Sequence, residues 1–326
     1  MLYLTIFLVT MQVTIIIPTY KRLDYLSQAI DSLLEQTYHD FTCVVVNDYP
    51  PDASAIESLL TEINDPRISL INHEISQGGN VARNTGIKRA KGDIIAFLDD
   101  DDLWFPNKLE KHVNRHQKNP QAGLVFSGVI QRWDEIGLPP KTTLAALPTN
   151  SVLEAMSRGT FCPHSTSGVT VLRQCFTQCG MFDENLISFQ DWDMWYRIAR
   201  LYPFDYINEP LFIFRQHLGD RTSQSVERRL QGLSQIMAKW ESQLTNPEQF
   251  KNIFTKEVYI THINKLILQK NRKNAIAFWQ KLLQLSQNKK DFLQATKLAL
   301  LFIFGLDIYK PVLQGARYLG KNRKLE

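Results

Sequence analysis

Val13 to Ile17 is an unbroken, β-branched apolar run that stops at Pro18, the pattern of a strand buried on both faces and ending in a loop. From Asp24 to Gln36 the period changes, with Leu26, Ile30, Leu33 and Leu34 at helical spacing. Phe41 to Val46 predicts a second strand ending at Asn47-Asp48, and Ile68 to Asn72 a third. Gly78-Gly79-Asn80 then predicts a flexible turn with an N-cap, opening a helix over Val81 to Ala90. After Lys91-Gly92, Ile94 to Leu98 predicts another buried strand. This alternation predicts an α/β fold with a mostly parallel sheet flanked by helices. Leu124 to Ile130, Gly168 to Leu172 and Leu211 to Phe214 predict further strands, and Gln190 to Arg200 a helix. From about Val226 long helical periodicities rich in Lys and Gln take over. The expected organisation is a short extension over residues 1–11, an α/β domain over 12–225 and a helical, basic C-terminal region over 226–326.

The 326 residues are 44% hydrophobic and 21% charged, which excludes a disordered, collagen-like or coiled-coil chain. A formal charge of +4 is too small to single out nucleic acid as a partner, and none is expected. The charge is unevenly spread. Residues 1–225 carry 19 basic and 26 acidic side chains, whereas residues 226–326 carry 18 and 7, so the two regions are expected to face different partners. Four cysteines, Cys43, Cys162, Cys175 and Cys179, build no disulfide framework and no CxxC pair, which points to the cytoplasmic side. Met1 to Val9 is apolar without a basic residue ahead of it or a polar break after it. That argues against a cleaved signal peptide and for Met11 as the start, or for a short extension. No uncharged apolar stretch approaches the roughly 18–20 residues that span a bilayer. The dense apolar positions within Phe292 to Tyr309 still need a surface to bury against. The α/β domain, a second subunit, or the inner face of an anionic membrane would each serve, the last through peripheral contact drawn by the basic region.

In such sheets ligands bind beyond the carboxyl ends of the strands, and those ends carry Pro18-Thr19-Tyr20, Asn47-Asp48 and Asp99 to Asp102. Four consecutive carboxylates repel one another, and a divalent cation relieves the repulsion. Asp99 and Asp101 project to the same side of an extended backbone, which suits them to Mg²⁺ or Mn²⁺, with water and a diphosphate completing the shell. The plainer reading is an acidic turn ahead of a helix near Pro106. Gly78-Gly79 suggests a dinucleotide cradle, but no GxGxxG follows the first strand, which weakens a dehydrogenase. Arg83 can pair with a carboxylate or phosphate or stand solvated, and Asp48 can accept from a base or ribose or cap its own loop.

Asp191, Met194, Trp195 and Ile198 fall on one helix face that otherwise buries apolar groups. Asp191 is therefore expected to point inward, suited to take a proton from an attacking hydroxyl, with helix capping as its alternative role. Asp193 lies on another face with Arg197 four residues on, the arrangement of an exposed ion pair. His217 is a candidate metal ligand or diphosphate contact, with ordinary loop packing as the competing role. Phe161 to Ser167 is expected to line the side of the site from which the attacking hydroxyl would come.

The segments VTIIIPTYKRLDYLSQAIDSLLEQTYHDFTCVVVND, GGNVARNTGIKRAKGDIIAFLDDDDLW and GMFDENLISFQDWDMWYRIA together resemble family 2 glycosyltransferases of the GT-A fold, over roughly residues 12 to 225. The resemblance implies a nucleotide-diphosphate sugar donor, with UDP the expected carrier. It also implies a divalent metal, Mn²⁺ or Mg²⁺, on a D-x-D element, and transfer with inversion to the hydroxyl of a glycan or lipid-linked acceptor. It places Pro18, Asp48 and Arg83 where the family holds the nucleotide, with Tyr20 beside them. Asp99 and Asp101 then flank the metal diphosphate, Asp100 or Asp102 substitutes in the register, Asp191 is the base, and Arg215-Gln216-His217 matches an Arg-x-His that closes over the donor. Two departures stand out. The usual acidic pair and Gly-Ser after the second strand is here Asn47-Asp48-Tyr49-Pro50, a stiffer loop near the base, and the usual Glu-Asp before the late helix is Gln190-Asp191. A sugar nucleotidyltransferase and a non-catalytic sugar-nucleotide binding protein are the rival readings.

Overall fold

The computed structural model describes residues 11–133, 138–217, 225–269 and 271–286. Met1 to Val9, Arg221 and the apolar stretch from Phe292 to Tyr309 lie outside the described residues. β1 (Val13–Thr19) is buried at every position but Pro18 and lies between β2 (Phe41–Asn47) and β4 (Ile94–Phe97), parallel to both. β3 (Ile68–Asn72) extends the parallel set beyond β2. Three helices, α1 (Leu23–Leu34), α2 (Ala53–Ile63) and α3 (Gly79–Arg89), supply the crossovers that parallel neighbours require. The order β3-β2-β1-β4 reverses its winding between β1 and β4, so the crevice of the switch point opens between Thr19 and Asp99.

Beyond β4 the sheet is mixed. β8 (Val169–Leu172) runs antiparallel to β4, and β6 (Leu124–Trp133) antiparallel to β8. β9 (Phe204–Arg215) is parallel to β6, β5 (Asp102–Trp104) pairs antiparallel with β9, and β7 (Leu138–Thr143) antiparallel with β6. The expected parallel arrangement thus describes the first four strands. Among the later strands β6 and β9 are parallel as well, β6 and β7 pair antiparallel across a short return, and β8 enters between β4 and β6 antiparallel to both.

The main hydrophobic core runs from β1 through α7 (Gln190–Ala199) to Val226, Leu233, Ile236, Phe250 and Phe254. The last five belong to α8 (Val226–Trp240) and α9 (Pro247–Leu268), so these helices are built onto the α/β domain. α10 (Arg272–Gln284) packs on the far end of α9 through Ile263, Leu266, Ala275 and Leu282. Among the described residues no helix is long and apolar enough to cross a membrane.

α4 (Lys108–Lys118) buries Lys108, His112 and His116 completely. Lys108 Nζ lies 3.0 Å from His112 Nε2, and His112 Nδ1 and His116 Nε2 each lie 2.9 Å from Thr170 Oγ1. Burial pushes the Lys108 amine well below its ordinary range. The unfolded chain takes up a proton there below about pH 10.4 that the folded chain resists, so stability is lost as pH falls through that value. Lys108→Met removes this dependence. Calorimetry should find the variant's Tm, relative to the native chain, several degrees more favourable at pH 7 than at pH 10.

Candidate active site

The carboxyl end of β4 runs directly into Asp99 to Asp102, and each carboxylate meets a different set of partners. Asp99, half-buried, holds Arg83 Nη2 of α3 at 2.7 Å on Oδ1 and Thr166 Oγ1 at 2.8 Å on Oδ2. Asp100 turns back onto the end of β1, where Thr19 Oγ1 and Arg22 Nη1 donate at 2.9 Å and the Tyr20 N–H at 3.3 Å. Burial and the neighbouring Asp101 charge push Asp100 up to about 6, against the pull of Arg22 and Thr19. Asp101 is also buried, with Oδ2 2.9 Å from Arg22 Nη1 and 3.1 Å from His217 Nε2. Its carbonyl accepts from Arg215 Nε at 2.6 Å. Asp102, fully buried on β5, accepts the Arg215 N–H at 3.2 Å and Ser165 Oγ at 3.4 Å. Arg22 was not singled out from the sequence, where the need for counter-charge was met by a divalent cation alone; its place three residues past the end of β1 is the signal that could have found it.

Asp48, just past β2, is buried. Oδ1 accepts the Gln77 N–H at 2.8 Å and lies 2.8 Å from His73 Nδ1, while Oδ2 accepts the Gly78 N–H at 2.8 Å and Ser76 Oγ at 3.0 Å. Four partners fill the acceptor capacity of a carboxylate. Asp48 therefore folds the 73–78 loop over the strand end, and a base edge reaches it only by displacing one of them. Gly78 has φ +95°, a conformation that favours glycine. It is also the N-cap of α3, a correction to the expected cap at Asn80. Asn80 Nδ2 instead donates to the carbonyls of Asp183 and Leu186 at 2.9 and 2.8 Å, tying α3 to the approach to α7. Arg83 is buried rather than solvated. Beside them Pro18 is half-buried, and Tyr20, 44% exposed, meets Tyr49 edge-on at 5.2 Å with Lys21 Nζ over both rings.

α7 begins after Phe189, whose φ of +59° lies in the left-handed region that a bulky residue adopts only under constraint. The constraint comes from the C-terminal helices. Phe254 of α9 packs edge-on at 5.1 Å, the Arg229 guanidinium of α8 lies 5.1 Å over the ring, and a Cβ on Gly232 would come within 2.6 Å of Ser188 Cβ. This turn presents Asp191, half-buried, with Oδ1 accepting the Trp192 N–H at 2.8 Å. Burial pushes the Asp191 carboxyl up and Glu257 of α9 reinforces the shift, while the Trp192 N–H and the Arg83 charge oppose it.

Asp193 requires correction. Its pair with Arg197 exists, at 2.9 and 3.0 Å, but the carboxylate is fully buried rather than exposed. Oδ1 accepts from Trp240 Nε1 at 2.7 Å and Lys239 Nζ at 2.9 Å, both on α8. Spacing within one helix shows the ion pair but not the second helix that covers it.

A divalent cation fits part of this arrangement. His217 Nε2 and Asp101 Oδ2, buried and 3.1 Å apart, stand at about the 3 Å expected of adjacent ligands on an octahedral ion with bonds near 2.1 Å. Tyr25 stacks on His217 at 5.0 Å and fixes its plane. Asp101 Oδ2 also takes Arg22 Nη1 at 2.9 Å, and the two oxygens of Asp99 take Arg83 and Thr166, so a cation on either aspartate would displace an arginine. Among the described residues no three His, Cys, Asp or Glu side chains gather as a metal site.

A sheet wound as β3-β2-β1-β4, with an acidic run at the switch point and a late helix presenting a carboxylate, is the arrangement of an α/β fold of the GT-A type. The chain belongs to glycosyl transferase family 2, whose family model matches residues 14–176. It is 30% identical over 244 residues to an uncharacterized glycosyltransferase of Rickettsia felis, covering 73% of this chain and 40% of that protein. Over 107 residues, 33% of this chain and 42% of its relative, it is 41% identical to the UDP-Glc:alpha-D-GlcNAc-diphosphoundecaprenol beta-1,3-glucosyltransferase of Escherichia coli. The chain spans between 34 and 40% of the length of the first curated relatives it matches. Among solved structures, the mannosyltransferase of Pyrobaculum calidifontis in complex with GDP-Man and Mn²⁺ superposes with a TM-score of 0.56 at 21% identity, over 92% of this chain and 83% of that one. That likeness shows the fold.

Asp193→Ala leaves Arg197 and Lys239 without their shared buried partner. Chemical denaturation should record a loss of about 3–5 kcal/mol, the cost of breaking a buried pair from one side.

Proposed function

We propose that the chain transfers a sugar from a nucleotide-diphosphate donor, UDP being the first carrier to try, to an acceptor hydroxyl with inversion. The observation that carries this reading is Arg83, which grips Asp99 of the acidic run at 2.7 Å while its charge acts on Asp191 across the same crevice. Donor side and proton acceptor thus share one wall.

Asp101 and His217 would hold Mn²⁺ or Mg²⁺, which when bound supplies neutralisation of the departing diphosphate. Arg22 and Arg83 keep the acidic run in place at the donor end. Asp191, fixed by the Phe189 turn, takes the proton of the acceptor hydroxyl as its oxygen bonds to the anomeric carbon and the bond to the diphosphate breaks. Burial raises the proton affinity of Asp191, which suits it to this step. The Escherichia coli relative, named for transfer from UDP-Glc to a diphosphoundecaprenol-linked sugar, supports a lipid-linked glycan acceptor, and the Pyrobaculum complex, which holds GDP-Man and Mn²⁺, supports a metal-bearing donor site. A lipid-linked acceptor would also give the basic region 226–326 a reason to meet the cytoplasmic face of a membrane.

A thermal-shift panel of UDP, GDP, dTDP and their sugars, with and without Mn²⁺, should show stabilisation by one diphosphate that depends on the metal. Asp101→Asn should lose that metal dependence. Release of pyrophosphate from a sugar phosphate and a nucleoside triphosphate would overturn the reading in favour of a nucleotidyltransferase.

Asp191→Asn should keep donor binding and lower turnover by about 10²–10⁴-fold. In the native enzyme kcat should fall on the acid side as Asp191 takes up a proton, at a pH above the ordinary carboxylate range because its affinity is raised. Normal turnover by the Asn variant would remove Asp191 from the mechanism.

A further inference from the structure

Asp100 Oδ1 and Asp101 Oδ2 converge on a single atom, Nη1 of Arg22, at 2.9 Å each. His217 Nε2 lies 3.1 Å from the same Asp101 oxygen. Arg22 thus holds the oxygen that a cation on Asp101 and His217 would use. Two cations on one carboxylate oxygen repel at close range, so the guanidinium and a metal can hold it only in turn.

The three arginines of the acidic run differ in how firmly they are seated. Arg215 is buried, with Nε on the Asp101 carbonyl at 2.6 Å, Nη1 on Gln28 Oε1 at 2.6 Å and its guanidinium 4.6 Å over the Tyr25 ring. The Arg83 side chain is 11% exposed against Asp99. That of Arg22 is 23% exposed, the most of the three. Arg22 is also the N-cap residue of α1, and its side chain makes no capping bond, so the helix start does not depend on where the guanidinium lies. Nor does Asp100 depend on it alone. Thr19 Oγ1 at 2.9 Å and the Tyr20 N–H at 3.3 Å hold the other oxygen of Asp100, which keeps that carboxylate turned to the end of β1 after Arg22 has moved.

A divalent cation replaces the charge of Arg22 on the two carboxylates, and a diphosphate arriving with it brings fresh negative charge to the same end of the crevice. The planar fork of a guanidinium matches phosphate oxygens as well as it matches carboxylates.

We propose that Arg22 is an exchangeable counter-cation, which neutralises Asp100 and Asp101 until a divalent metal takes its place and then binds the diphosphate of the donor. Metal binding thereby releases a second cation for the diphosphate, and the two ligands become cooperative through the protein as well as through their own contact. The inference rests on the transferase reading, and it adds a donor-binding residue and a reason for diphosphate binding to require metal.

The full chain is treated with phenylglyoxal, which modifies accessible guanidinium groups, and Arg22 is followed by peptide mass mapping without metal, with Mn²⁺, and with Mn²⁺ plus UDP, GDP or dTDP. Mn²⁺ alone should speed the modification of Arg22 several-fold, and Mn²⁺ with the diphosphate that binds should slow it again, while Arg215 stays unmodified throughout. In a Mn²⁺ titration read by electron paramagnetic resonance without nucleotide, Arg22→Gln should bind the metal about ten-fold more tightly than the native chain, because the competing charge is gone. At saturating Mn²⁺ the same variant should bind the diphosphate about ten-fold more weakly, as expected for loss of a charged donor. Arg22→Lys should keep the native Mn²⁺ affinity. A loosened acidic run would weaken both ligands, so opposite changes mark the exchange. Modification of Arg22 at one rate with and without Mn²⁺, or Mn²⁺ bound no more tightly by Arg22→Gln, overturns the proposal. Failure of every diphosphate to bind the native chain with Mn²⁺ would instead sink the transferase reading beneath it.

Discussion

Everything at the crevice depends on holding four adjacent carboxylates together at the end of a buried strand. The repulsion among Asp99 to Asp102 is not left to solvent, since three of the four are buried. Arg22 from the end of β1, Arg83 from α3 and Arg215 from β9 each take a different part of the run, by side chain or by carbonyl. These cations come from three separate stretches of chain, so the acidic run also fastens the parallel half of the sheet to the mixed half. Removing counter-charge here would disturb the join as well as the site.

The second constraint is the turn before α7. A phenylalanine in the left-handed region persists only where its surroundings leave no alternative, and here those surroundings are α8 and α9. The helices that the charge pattern sets apart as a distinct region therefore set the position of Asp191, and the buried Asp193 binds α7 to α8 from the other side. Composition separates the two parts of the chain. Packing unites them.

Much of this was legible in the sequence. β1, β2 and β4 are short apolar runs with sharp polar ends, and those ends are where the ligand crevice lies. β5 was not legible, being three residues drawn from a charged run, nor was β7, which contains Pro139 and Pro140. Their strand character comes from β9 and β6, which pair with them, not from their own pattern. Asp99 to Asp102 stood out as a cluster, yet their individual fates did not, because partners such as Thr166 and Arg215 arrive from far along the chain.

The cage around Asp48 bears on how substitutions at the end of β2 should be read. Two of its four partners are main-chain amides, so exchanging this aspartate would untether the stretch from His73 to Gly78 and let the helix behind it drift. A drop in ligand affinity after such an exchange would report a collapsed wall as readily as a lost contact. The carboxylate acts here through the shape of the loop it holds.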